Sequence, residues 1–351
     1  HPSGVHVFFS NTRDLAAQTK EEAEIGWGLP VRLIGCEAQD TGVPENAHAA
    51  DGGYIIVCVY NSCAKLPKGI RFGYKMVDEA HRVENEGTRQ KQIRAVKCDK
   101  TVHLSGTFID QDNIDYMYPA EEAIERGYIL DYKFHFGMFA DTIHEGSSLK
   151  KLSRVRAAVD MLNQHGKQWT PALVYFNTNR SSEAAAKLFQ QFGFTACSIN
   201  GKTPVKERND VKQQVENGVT DVVCLCGLWN ESITIKRVRT IIFADPRHSN
   251  INQIQIASRA NRLHPSKAFY RIVYPCCRED LHNQNVQDVI KGFLNINPKL
   301  AKAVETRDLS RIGIELVTPS NPTGLPNPSP HADDAETDEE ADESLFELIY
   351  E

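Results

Sequence analysis

An apolar approach, Tyr74-Lys75-Met76-Val77, delivers two adjacent carboxylates, Asp78 and Glu79, and then Ala80, His81 and Arg82. That order of residue types suits hydrolysis of a magnesium nucleotide. A strand ending at Val77 would hold Asp78 at its C-terminal tip, where one carboxylate holds Mg2+ through water while Glu79 orients or deprotonates the attacking water. His81 would stand on the side of the terminal phosphate. For these letters alone the bland alternative is a solvated acidic loop after a strand. Farther along, Gln255, Arg259 and Arg262 are spaced by four and three, so a helix over 252–263 would place them on one face. Two guanidiniums and an amide on one face suit phosphate groups. An arginine that meets the charge developing in phosphoryl transfer is worth on the order of 10³-fold in turnover. The alternative is a solvated face with Arg259 paired to a surface carboxylate.

Further segments fall before and after Asp78 in the order of a superfamily 2 DEAD/DEAH-box helicase motor, which the chain resembles over roughly residues 5–275. Ser10-Asn11-Thr12-Arg13-Asp14-Leu15-Ala16-Ala17-Gln18 is similar to motif Ia, which implies that Thr12 and Arg13 touch a nucleic-acid backbone. Leu104-Ser105-Gly106-Thr107 looks like the family's S-A-T motif, and Ser105 and Thr107, with His81, would then link hydrolysis to domain movement. Val174-Tyr175-Phe176-Asn177-Thr178 is similar to motif IV, again facing the backbone through Asn177 and Thr178, and Leu228-Trp229-Asn230-Glu231 sits where motif V belongs. The stretch from Gln255 to Arg262 resembles Q-x-x-G-R-x-x-R, whose arginines reach nucleotide phosphates while Gln255 helps seat the nucleotide. The resemblance implies ATP and Mg2+ as cofactors, Asp78 as the metal ligand, and DNA or RNA as partner. Backbone contacts read phosphates rather than base edges, so both nucleic acids stay open.

The chain also departs from that pattern. No G-x-x-x-x-G-K-[ST] cradle precedes the motif Ia stretch, and the first residue is His1, so the sequence reads as a fragment expected to be inactive by itself. Gly201-Lys202-Thr203 is a decoy, because the position five before Gly201 is Ala196 and Pro204 follows; Thr203 and Pro204 are expected to open a helix instead. Glu231-Ser232-Ile233-Thr234 puts Thr234 where a carboxylate is usual, and Ser258 replaces the glycine of motif VI. Those departures keep two other readings open: a catalytically inactive scaffold that binds nucleic acid or a partner, and the motor subunit of a restriction or repair complex.

The elements that must carry these residues alternate, as in an α/β fold with parallel sheets covered on both faces. Strand-like runs cover 5–9, 31–34, 54–60, 72–77 and 102–104, with a helix over 13–25. After a short helix at 119–126 and an extended segment at 129–139 come helices over 149–165, 181–192 and 204–217, and strands at 172–176, 195–199, 221–225, 240–244 and 268–274. The resemblance makes these two tandem RecA-like domains, with ATP and nucleic acid between them. The expected division is an incomplete first domain at 1–141, a hinge at 142–148, a second domain at 149–275, a helical extension at 276–318 and a disordered Pro-rich, acidic tail or linker at 319–351.

Composition permits this reading. With 351 residues, 41% hydrophobic and 25% charged, the chain can bury two ordinary cores. No apolar run is long enough to span a membrane. Nine scattered cysteines without a C-x-x-C pair point to reduced thiols and an intracellular setting, cytoplasmic or nuclear. Ten of the acidic residues lie in 333–351, which has no Lys or Arg, so the formal charge of −6 leaves residues 1–332 at +4. A mildly basic body permits backbone binding without proving it. The tail is either solvating linker, a competitor for that body, or, through Leu345 to Tyr350, a docking segment for a protein partner.

Overall fold

The computed structural model describes residues 4–28, 30–36, 53–83, 87–106, 114–138, 147–228, 235–245, 250–276, 291, 301–302, 305–306 and 312–316. It divides into two compact units, His1–Tyr116 and Met117–Glu351.

The first unit holds β1 (Val5–Ser10), β2 (Val31–Ile34), β3 (Tyr54–Val59), β4 (Phe72–Val77) and β5 (Cys98–His103), paired in parallel in the order β2-β3-β1-β4-β5. β3 reads Tyr-Ile-Ile-Val-Cys-Val and is buried at all six positions, so it needs apolar cover on both sides. On one face α1 (Arg13–Trp27) contributes Ala16 and Ala23 to a cluster with Leu33, Ile55 and Val57. On the other, Phe9, Ile56, Phe72 and Val77 pack with Ile93 of α2 (Thr88–Ala95). α2 escapes sequence reading because, among its described side chains, Ile93 alone is deeply buried and its neighbours are polar. Buried Lys75 holds it from below: Nζ donates to the carbonyls of Ile93, Arg94 and Val96, which end the helix. β5 begins earlier than the expected 102–104 because an exposed edge strand has little inward face to show as a period of two.

The second unit holds β6 (Asp131–Met138), β7 (Ala172–Phe176), β8 (Ala196–Asn200), β9 (Val222–Cys226), β10 (Thr240–Phe243), β11 (Phe269–Cys276) and β12 (Ile312–Leu316). They form a parallel sheet in the order β12-β6-β11-β10-β7-β9-β8. After α3 (Ala120–Glu125), its helices are α4 (Ser147–His165), α5 (Asn179–Gln191), α6 (Val205–Glu216) and α7 (Asn250–Ala257). Val155, Ala158 and Leu162 of α4 and Ala185 and Phe189 of α5 pack on Val174, Phe176, Ile242 and Val273. On the other face, Val211 and Val215 of α6 and Ile256 and Ala257 of α7 pack on Leu173, Tyr175, Ile241 and Ile272.

Three expectations change. The extended segment assigned to the first domain is β6, and the units divide after Tyr116 rather than near 141. The reason lies in its alternation: Tyr132, Phe134 and Phe136 point to one face, where the rings of Tyr270 and Tyr274 in β11 meet them. The stretch expected as a helical extension carries a strand, β12, paired with β6. And the helix expected over 252–263 ends at Ala257 and passes into a 3-10 turn, Ser258–Ala260. Ser258 Oγ donates back to the Gln255 carbonyl at 2.7 Å, while Lys267 Nζ takes the Ala260 carbonyl at 2.7 Å, which closes the turn. Residues 139–146, within which most of the expected hinge falls, and the tail beyond 316 lie outside the described residues.

Candidate functional site

In the first sheet α1 leaves β1 toward β2, and α2 leaves β4 toward β5, so the carboxyl ends of adjacent β1 and β4 flank a topological switch point. Asp78 stands there. Its N–H donates to the Phe9 carbonyl at 3.1 Å, and Tyr60 Oη donates to its carbonyl. Glu79 adopts φ 49, a left-handed conformation that a glutamate rarely takes. The turn is fixed on both sides: Leu104 N–H donates to Val77 O and Ala80 N–H to Leu104 O, each at 2.9 Å. His81 Nδ1 thereby lies 2.9 Å from Ser105 Oγ and 3.4 Å from Glu79 Oε2; which of ring and hydroxyl donates depends on the tautomer. Asp78, Glu79, His81 and Ser105 are thus brought together, whereas Thr107 lies outside the described residues.

Burial, and then the neighbouring Glu79 charge, push the Asp78 carboxyl above its ordinary value. Burial, and then the charges of Asp78 and Glu79, push the Tyr60 phenol up. Two crowded carboxylates, one of them raised by burial and by its neighbour's charge, are what a divalent ion would relieve, so these residues fit Mg2+. Among the described residues no three or more His, Cys, Asp or Glu side chains are grouped to hold a metal ion.

The second sheet has its own switch point, since α5 leaves β7 toward β8 and α7 leaves β10 toward β11. Asn177 follows β7 with an exposed side chain, and its N–H donates to Asp245 Oδ2 at 2.8 Å. Asp245, buried at the end of β10, was missed in the sequence; the signal was an acid closing an apolar run, Thr240-Ile241-Ile242-Phe243-Ala244. Thr178 caps α5, its Oγ1 accepting from Ser181 N–H at 3.1 Å, and Thr12 caps α1 likewise, accepting from Leu15 N–H at 3.2 Å. Arg13 is exposed in the first turn of α1. Gln255 is buried on α7, Arg259 is half-buried in the 3-10 turn and Arg262 is exposed beyond it, so the three do not share the face of one helix. Buried Lys267 bonds the Ala260 and Val238 carbonyls, both at 2.7 Å, and burial lowers its ammonium to about 8.

At Gly201-Lys202-Thr203 the backbone makes a closed turn, with Thr203 Oγ1 accepting from Asn200 N–H at 3.0 Å and Asn200 Oδ1 from Lys202 N–H at 2.9 Å. Thr203 serves this turn and α6 starts at Val205 after Pro204, one residue later than expected. Trp229 to Thr234 lie outside the described residues.

Residues 151–264 match the helicase conserved C-terminal domain. Saccharomyces cerevisiae IRC3 is 31% identical over 87 residues, 25% of this chain and 13% of that protein. The ATP-dependent RNA helicase FAL1 of Coccidioides immitis is 27% identical over 93 residues, 26% of this chain and 23% of its own length. The matches thus span less than a quarter of those relatives. Among solved structures, the type ISP restriction-modification enzyme LlaBIII bound to DNA superposes with a TM-score of 0.74 at 14% identity, over 98% of this chain and 29% of that one. Saccharomyces cerevisiae Dbp5 bound to RNA and ADP BeF3 does so with 0.55 at 12% identity, over 98% and 83%. At such identities the likeness is one of fold: two tandem RecA-like domains.

Proposed function

We propose, for a chain of the superfamily 2 DEAD/DEAH helicase type, that it couples ATP hydrolysis to movement on DNA or RNA. The observation that carries this reading is the braced tip Asp78-Glu79-Ala80-His81 at a switch point, joined through His81 to Ser105. Bound Mg-ATP would supply the phosphoanhydride bond and the charge neutralisation for phosphoryl transfer. Asp78 would hold the metal through water. Glu79, turned off the strand by its backbone, would orient the attacking water and accept its proton. His81 and Ser105, with Thr107, would pass the state of that site into the loop after β5. Arg259 and Arg262 would contact phosphates and Gln255 would seat the nucleotide, while Thr12, Arg13, Asn177 and Thr178 would face the nucleic-acid backbone. An intracellular setting, cytoplasmic or nuclear, goes with this function.

The inactive-scaffold and restriction-subunit readings are not favoured, because the sequence matches are to a helicase domain and to an ATP-dependent helicase. Glu79→Gln in the full-length protein is the test. ATP binding should persist and turnover should fall by at least about 10²-fold. Turnover kept near the unaltered rate would remove Glu79 from the chemistry.

A further inference from the structure

One group of cations in the second unit has no part in that reading. Lys133 of β6 and Arg271 of β11 are register partners on neighbouring strands, so two like charges stand side by side. Both are half-buried, and both lie over the same ring: Lys133 Nζ and Arg271 Cζ are each 4.8 Å from the Phe269 centroid. Arg271 also lies 5.0 Å from the centroid of buried Trp169. Among the described residues neither side chain has an ion pair or an acceptor for its N–H donors. The Asp131 carboxylate, two residues before Lys133, accepts from Tyr132 N–H. Arg239 adds another positive charge, with its guanidinium donating to the carbonyls of Gln168 and Ser266. Beside them His135 is kept neutral by burial, and its buried Nε2 lacks a hydrogen-bond partner.

Two adjacent, half-desolvated cations with no counter-charge among the described residues add nothing to the stability of the fold. The aromatic rings offset part of that cost and hold the guanidinium in place, leaving its planar set of donors open to an anion. We propose that Lys133 and Arg271 form a second contact for the phosphodiester backbone of a nucleic-acid strand. The inference rests on the functional reading above and extends it. This contact lies in the amino-terminal halves of β6 and β11, whereas Asn177 and Thr178 follow the carboxyl end of β7. It also lies on the α4 face, opposite α7 and the turn that carries Arg259, because Tyr132, Phe134, Tyr270 and Ile272 take the α7 face.

The test is fluorescence anisotropy with the full chain and labelled single-stranded DNA and RNA of about 15 nucleotides over a salt series. Lys133→Gln and Arg271→Gln should each weaken binding several-fold and reduce the salt slope by about one, and Arg271→Lys should restore the slope but not the full affinity. The Lys133 side chain makes no hydrogen bond among the described residues, so Lys133→Gln remains decisive even if Arg271→Gln melts early. Unchanged affinity and slope overturn the inference. So does tighter binding, the outcome expected if the acidic residues of 333–351 occupy this patch. If the unaltered chain binds neither oligonucleotide, the functional reading falls and takes the inference with it. If Asn177→Ala weakens binding and the two patch variants do not, the inference alone falls.

Discussion

At the residue scale the proposed chemistry gathers at a strand tip where the fold accepts cost. Asp78 is held above its ordinary value by burial and by Glu79, and Glu79 sits at φ 49. A carboxyl raised in the folded state favours folding most below its unfolded value of 3.8, and that contribution is lost as pH rises through the folded value. Asp78→Asn should therefore stabilise the fold at neutral pH and flatten the pH dependence of unfolding in the acid range. Mg2+ should raise the melting temperature of the unaltered protein and leave that of Asp78→Asn unmoved, by linkage of binding to folding. Thermal melts with and without Mg2+ check both. The carboxylates, His81 and Ser105 were legible because their spacing along β4 and after β5 fixes them locally. The Tyr60 brace and the left-handed turn were not, since they depend on a hydroxyl and on backbone groups contributed by residues distant in the chain.

At the element scale two helices open on the same device, a threonine after a strand. Thr178→Ala should cost about 1 kcal/mol by removing the cap of α5, and Thr178→Ser should recover most of it, measured by chemical denaturation. A nucleic-acid defect larger in Thr178→Ala than its stability loss explains would be needed to credit the hydroxyl with strand contact. Lys267 ties the Arg259 turn to Val238, two residues before β10. Burial lowers its ammonium from 10.5 to about 8, so between those values the folded state has released a proton that the unfolded chain keeps. Stability should rise with pH across that window and be lost as pH falls through about 8. Lys267→Met should abolish the rise. The period of α7 was readable but its end was not, because the group that closes the turn lies seven residues beyond Ala260. The aromatic alternation of β6 was equally readable, yet its sheet was not. Its partner β11 is more than a hundred residues away in the chain, and no local pattern names it.

At the scale of the whole molecule, the sequence showed two α/β bodies and the order of their motifs, and the described residues add two parallel sheets, each with a switch point. The boundary moved toward the N-terminus because membership of a sheet, not composition, decides it. In the proposed function nucleotide chemistry belongs to Asp78 and Glu79 in the first unit and to Arg259 and Arg262 in the second, so the motor reading requires both units in one protein. The most direct measurement is phosphate release from ATP by the full-length protein, with Mg2+, in the presence and absence of single-stranded DNA or RNA. The account predicts hydrolysis that one of these strands accelerates and that Glu79→Gln abolishes. Strand binding without any hydrolysis, under conditions where ATP is bound, would contradict it and return the protein to the inactive scaffold.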